Sequence, residues 1–179
     1  MKFIELVKKR KSTRKYSEEA VPRSVIDQCL EAARMAPSAV NSQPWSFIVV
    51  DDKETKNKIV EKSMSGIYSS NAFVRNAPVI IVVITEVPSY TVRLGRFFRN
   101  VNYSLIDIGI ACDHLTLQAE ELGVGTCWLG WFSEKAVKKV LGLPKSTKID
   151  VMISMGYPQK SYVKEKKRRT LDEIRRFYK

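Results

Sequence analysis

Three short segments of this 179-residue sequence carry side chains whose types and spacing could act together on a small ligand. The first is Arg10-Lys11-Ser12-Thr13-Arg14, in which bases alternate with hydroxyls. In a turn, the forked donors of Arg and the short donors of Ser can converge on a phosphate. The second is Ala36-Pro37-Ser38-Ala39-Val40-Asn41-Ser42-Gln43-Pro44-Trp45, where two prolines among small polar residues describe an ordered loop and not a linker. The third is Gly125-Thr126-Cys127-Trp128-Leu129-Gly130-Trp131. The usual signatures of self-sufficient catalysis are missing. The sequence has no GxxxxGK[ST], no GxGxxG after a strand, no GxSxG and no HExxH. His114 is its one histidine, and Cys29, Cys112 and Cys127 are scattered through apolar settings, which argues against a triad, a zinc site or a disulfide framework. The acidic pairs Glu18-Glu19, Asp51-Asp52 and Glu120-Glu121 read as a helix start, a strand end and a solvated helix face. Catalysis by this chain would therefore fall to a bound cofactor.

The elements that must position these segments follow from hydrophobic periodicity. Residues 2–10 form a helix with Phe3, Leu6 and Val7 as its apolar stripe, and residues 22–35 form a second with Val25, Cys29, Ala32 and Ala33 turned inward. Strands are expected at 46–50, 79–85, 125–131 and 149–155; the β-branched run 79–85 suits burial on both faces. Residues 53–64 are an amphipathic helix, and a further helix runs from the Ser133 cap to Leu141. The longest helix spans 101–122, with Val101, Leu105, Ile108, Cys112, Leu115, Ala119 and Leu122 on one face, a second apolar face at Ile106, Ile110 and Leu117, and Gly123 as its terminator. Helices and strands alternate, so the expectation is one domain over 1–179 with a central sheet flanked by helices. Residues 86–100 fit no element. No apolar stretch is long enough for a membrane span, and the N-terminus carries Glu5 in its apolar patch without a cleavage signal; a cytoplasmic protein is expected.

The formal charge of +12 is unevenly placed. Residues 1–15 and residues 160–179 each carry +6, and the 144 residues between them are neutral. Basic ends can be arms that grip nucleic acid, with Tyr157, Tyr162, Phe177 and Tyr178 interleaved, or they can fold back around a small anion. The basic run from Lys164 to Arg169 is followed by Thr170-Leu171-Asp172-Glu173, a capping box that opens a short helix, and an ordered helix argues against a loose tail.

Taken in order and at these distances, the three segments and the closing basic run resemble the nitroreductase family, the flavin-dependent oxidoreductases that bind FMN. The resemblance covers essentially the whole chain, with residues 52–100 matching loosely. It implies an α+β fold, an α/β/α sandwich whose central, mainly antiparallel sheet is flanked by helices, assembled as an intertwined homodimer with FMN at the subunit interface. It further implies that Arg10, Lys11, Ser12 and Arg14 hold the FMN phosphate and ribityl chain, and that Pro37, Ser38, Ala39 and Asn41, with Gln43 nearby, reach the flavin from the partner subunit. Leu129, Gly130 and Trp131 would lie along the isoalloxazine ring, and Lys166, Arg168 and Arg169 would close on the phosphate. Trp45, Trp128 and Trp131 are candidates to border the ring, with ordinary packing as the competing reading for each. The implied chemistry is ping-pong: NADH or NADPH passes a hydride to flavin N5 and leaves, and a nitroaromatic, quinone or related small-molecule acceptor takes its place. Reductive dehalogenation and flavin-fragmenting synthesis are alternatives on the same fold; a flavin carrier and a nucleic-acid binder are more distant ones.

Overall fold

In the computed structural model, which describes residues 2–86, 101–159 and 166–178, the run Val79–Thr85 is strand β2. Its alternation sends Val79, Ile81 and Val83 into one apolar core and Ile80, Val82 and Ile84 into another. A strand buried on both faces must be paired on both edges and covered on both sides. Strands β1 (Trp45–Val50) and β4 (Lys148–Gly156) pair with β2, and β3 (Gly125–Leu129) pairs with β4. The order is β1-β2-β4-β3 and every pair is antiparallel.

The first core lies under α2 (Arg23–Arg34) and α4 (Tyr103–Glu121), which contribute Ile26, Cys29, Ile108, Cys112 and Leu115. The second lies under α3 (Lys53–Ser63), a 3-10 segment at Gly66–Asn76 and α5 (Glu134–Val140). The expected α+β sandwich is thus found. Caps close its helices as the sequence indicates. Ala136 N donates to Ser133 Oγ at the start of α5, and Thr170 and Glu173 bond reciprocally at the start of α6 (Leu171–Ile174). Gly123, with φ of 77°, ends α4.

The departures have physical causes. On α2, Cys29 and Ala33 are fully buried as expected, but Ile26 joins them while Val25 is half-buried against the same core. Leu105, expected on the inward face of the long helix, is exposed beside Ile106, because the buried face at this end carries Ser104 and Asp107 instead. Strand β3 ends at Leu129 and not at Trp131, since Trp131 is held by the 3-10 segment instead: its indole N–H donates to Ile67 O and its carbonyl accepts from Asn71 Nδ2. That segment has no 3.6-residue period and left no trace in the sequence pattern. Between Val83 and Ile84 the β2–β4 register shifts, passing over Asp150, whose carboxylate accepts from Thr85 Oγ1 at 2.7 Å and pairs with Lys148 at 3.2 Å. The unplaced stretch from residue 87 to 100, Tyr162 and the start of the basic run at Lys164 lie outside the described residues. Among the described residues, no helix is long and apolar enough to cross a membrane.

The N-terminal chain closes the outer edge of β3. After α1 (Phe3–Lys9), Ser12 bridges Thr126 in parallel, and Thr13 N donates to Thr126 O at 2.8 Å. This approach needs a glycine: a Cβ on Gly125 would stand inside the Thr13 side chain. The Tyr16 hydroxyl donates to Thr13 O and shares a 2.7 Å hydrogen bond with Ser154 Oγ, and burial pushes its pKa upward. Replacing Gly125 by Ala should cost about 1–3 kcal/mol in denaturant unfolding, the scale of overpacking. Gly130→Ala, with open space where its Cβ would stand, should change stability by less than about 0.5 kcal/mol.

Candidate functional site

Edge pairing of residues 12–13 delivers the first motif to the start of β3. Its three alternate members gather near one buried thiol: Cys127, whose pKa burial raises, is held back from a larger rise by Arg14, by a hydrogen bond with Ser12 and by Arg10. Thr13 points the other way, into the fold. The C-terminal bases come to the same place. Lys166 Nζ donates to Val7 O at 2.5 Å, and its pKa is lowered first by burial and then by the positive charges of Arg10 and Arg168, with Glu120 opposing. Lys8, Lys11, Lys166 and Arg168 line a pocket of about 630 Å³ with Glu120 as the acid of its lining. Lys9 pairs with Glu120 at 3.7 Å. The two basic ends therefore meet in one electropositive pocket. Arg169 is exposed and outside that lining.

At the far end of β3, the Leu129 side chain is buried in the second core, so only its backbone is available to a ligand. Gly130 is exposed, and Trp131 is 55% exposed although both ends of its residue are hydrogen-bonded. Its indole N–H is used by Ile67 O at 2.8 Å, which leaves the ring as an apolar plate tilted against Tyr68 with centroids 5.3 Å apart. Arg14 lies 5.9 Å from the centre of the Phe73 ring. The 3-10 segment thus connects the Trp131 corner to the Arg14 corner. Lys56, buried on α3, ties the end of that segment down by donating to Arg75 O and Ala77 O. Trp128 is partly exposed, and Trp45 is half-buried against the first core.

The second motif stands elsewhere. Pro37, Asn41 and Gln43 are exposed and Ser38 and Ala39 half-buried, in a turn cross-linked by Gln43 N to Ser38 Oγ and by Gln43 Nε2 to Asn41 Oδ1. The turn leads into β1, the opposite edge strand from β3. Three strand spacings, about 14 Å, separate the two edges. Within one chain the structure brings the Arg10–Arg14 segment and the β3 corner together, and leaves the loop on the other side.

Sequence reasoning missed Asn71, Phe73 and Lys56, which lie in or beside a segment without periodicity, and Asp107, a carboxylate hidden in an apolar helix face. His114 Nδ1 sits 3.3 Å from Ala32 O, a structural position, and all three cysteines are buried free thiols.

The chain is thus a four-stranded antiparallel sheet between helices, with a cationic pocket at one edge and an aromatic corner nearby. The nitroreductase family model matches residues 7–157, and the chain belongs to that family of oxidoreductases. It is 32% identical over 167 residues, 88% of this chain and 78% of the relative, to a Methanothermobacter thermautotrophicus protein named for NADH dehydrogenase and NAD(P)H nitroreductase. It is also 32% identical to iodotyrosine deiodinase 1 of Rattus norvegicus, over 96% of this chain and 68% of that one. Among solved structures it superposes on an FMN-dependent nitroreductase from Clostridium difficile R20291 with a TM-score of 0.77 and 30% identity, covering 98% of each chain.

Like charges crowded around Lys166 should make the fold respond to an oxyanion. Inorganic phosphate is expected to raise the melting temperature more than chloride at equal ionic strength, and Lys166→Ala should remove at least half of that increment. An increment unchanged in Lys166→Ala would show that the bases do not act as one site.

Proposed function

We propose that the chain is a homodimeric, FMN-dependent oxidoreductase that takes hydride from NAD(P)H and delivers it to a nitroaromatic, quinone or related small acceptor. The observation that carries this reading is the meeting of Arg10, Lys166 and Arg168, whose mutual repulsion a phosphate dianion would reverse. Their donor set fits a phosphate monoester: guanidinium forks, an ammonium and the Ser12 hydroxyl are all donors. In this reading Arg10, Lys11, Ser12 and Arg14 bind the phosphate and ribityl chain, Lys166 and Arg168 close over them, and the more exposed Arg169 contributes long-range attraction.

The backbone of Leu129 to Trp131 meets the polar edge of the ring, and the apolar face of Trp131 borders it. Bound FMN supplies the hydride acceptor and donor at N5, so no side-chain acid or base is needed. Pro37, Ser38, Ala39, Asn41 and Gln43 serve the site of a second copy of the chain. Their distance from β3 of their own chain supports that assignment, and so do the exposed apolar side chains of Phe3 and Ile4 on α1, Leu105 and Ile106 on α4, and Leu171 and Ile174 on α6. Dimerisation would cover them.

The purified protein should be yellow, and NADH or NADPH should bleach it without oxygen; a colourless protein that takes up no added FMN overturns the reading. Arg14→Ala should weaken FMN retention roughly tenfold, the scale of a charge-assisted hydrogen bond, while Lys2→Ala should leave it nearly unchanged. Equal, salt-dependent losses in both would replace a phosphate site with diffuse attraction.

The deiodinase relative favours one second reading, reductive dehalogenation on the same cofactor. Anaerobically reduced protein should separate the two. Reoxidation by a halogenated phenol with halide release, and not by a nitroaromatic, selects the dehalogenase.

A further inference from the structure

We propose that Asp107 is a positioning residue: from the buried face of α4 it holds the Ser38–Gln43 loop in the left-handed conformation in which that loop meets the flavin. This rests on the cofactor assignment above. Asp107 is 3% exposed, one residue from Ile108 and one turn from Ala111, both in the first core. A carboxylate in such surroundings is costly unless it does something. Its hydrogen bond among the described residues is Ala39 N to Oδ1 at 3.1 Å; Oδ2 is buried and has no hydrogen-bond partner among them.

Ala39 opens the stretch that holds the positive-φ non-glycine residues among those described. Val40, Asn41 and Gln43 have φ of 49°, 54° and 43°, all in the left-handed region where a side chain is penalised. Val40 is the least suited of the three, because it is β-branched and 68% exposed, so no burial within the protomer offsets its strain. The bonds from Gln43 to Ser38 and Asn41 are internal to the loop and open to water. Among the described residues, two hydrogen bonds fasten the loop to the body. Glu86 N donates to Pro44 O on the β1 side, and Asp107 takes Ala39 N on the other. Without Asp107 the strained turn is anchored at one end only, and Val40 is free to relax out of the left-handed region.

The test uses Asp107→Leu, which keeps the branched shape in a bulkier side chain and removes the acceptor, Asp107→Asn, which keeps an acceptor at Oδ1, and Val40→Gly in both backgrounds. FMN affinity is read by fluorescence titration of flavin-free protein, and amide hydrogen exchange of residues 36–45 is read on the same protein without FMN. Asp107→Leu should melt close to the parent, since the unsatisfied Oδ2 goes as the Ala39 amide loses its acceptor. It should nevertheless bind FMN about tenfold more weakly and exchange faster at 39–43, with α4 unchanged. Asp107→Asn should stay within about threefold of the parent. Val40→Gly should restore most of the affinity lost in Asp107→Leu, because glycine adopts positive φ without penalty. Parent-like affinity and exchange in Asp107→Leu overturn the proposal, as does a loss shared by Asp107→Asn and untouched by Val40→Gly, which would be general core damage. Should Asp107→Leu fail to fold, Asp107→Ala carries the same expectations. If the parent itself takes up no FMN, the cofactor assignment has failed, and exchange at 39–43 in the flavin-free variants still decides whether Asp107 holds the loop.

Discussion

Thr13 occupies the space where any other residue at position 125 would carry a Cβ, and its amide completes the hydrogen bonding of β3. The hydroxyl of Tyr16 fastens this contact from below, reaching both Thr13 O and Ser154. Extended pairing at the edge forces alternate side chains to opposite sides. Thr13 turns inward, so Ser12 and Arg14 turn out, with Arg10 on their side. The basic N-terminus is thereby a shaped half of a pocket and not a loose arm. The rest of the site is built outward from that seam: α1 sits where Val7 O can receive Lys166, and Arg14 reaches the 3-10 segment that clasps Trp131.

Electrostatics gives this geometry its direction. The neutral body of the chain offers the terminal bases few counter-charges, and Glu120, already shared with Lys9, is the acid at the pocket. Burial and two positive neighbours make protonated Lys166 less comfortable than it would be in water. A polypeptide ordinarily avoids such crowding. Tolerating it is reasonable where a dianion turns each repulsion into an attraction. The remaining bases stay solvated and supply a long-range field for anionic partners.

The sandwich was readable because its strongest signals are local. The β2 run, the Ser133 and Thr170 caps and the Gly123 terminator each settle an element from a few neighbouring residues. The gathering of Arg10, Ser12 and Arg14 on one side was legible for the same reason, as their alternation lies within five residues. The 3-10 segment was not readable, since three residues per turn leaves neither a helical nor a strand period, and with it went Asn71, Phe73 and the reason β3 stops at Leu129. Asp107 was hidden differently. In a helix whose moment is set by Ile108, Cys112 and Leu115, one acid looks like a solvated position, and only the fold shows that it faces Ala39. Leu105 failed in the opposite sense: periodicity assigns a face, not what covers it.

The passed-over residue Asp150 bears on how the chain reaches this fold at all. Because β2 is apolar on both faces, polarity does not tell it which face is which, and sliding it by one position against β4 would exchange valines and isoleucines for one another at little cost in packing. Two features at opposite ends remove the ambiguity. At one end the Asp150 carboxylate accepts from Thr85 across the β2–β4 pair, a contact that a slipped register would lose. At the other, Gly125 faces Gly156, and both stand where a side chain would collide with Thr13, Pro78 or Tyr16. A slipped sheet would bring bulkier residues to that edge and refuse the N-terminal segment, so the register of the central sheet and the seating of the basic N-terminus depend on the same two glycines.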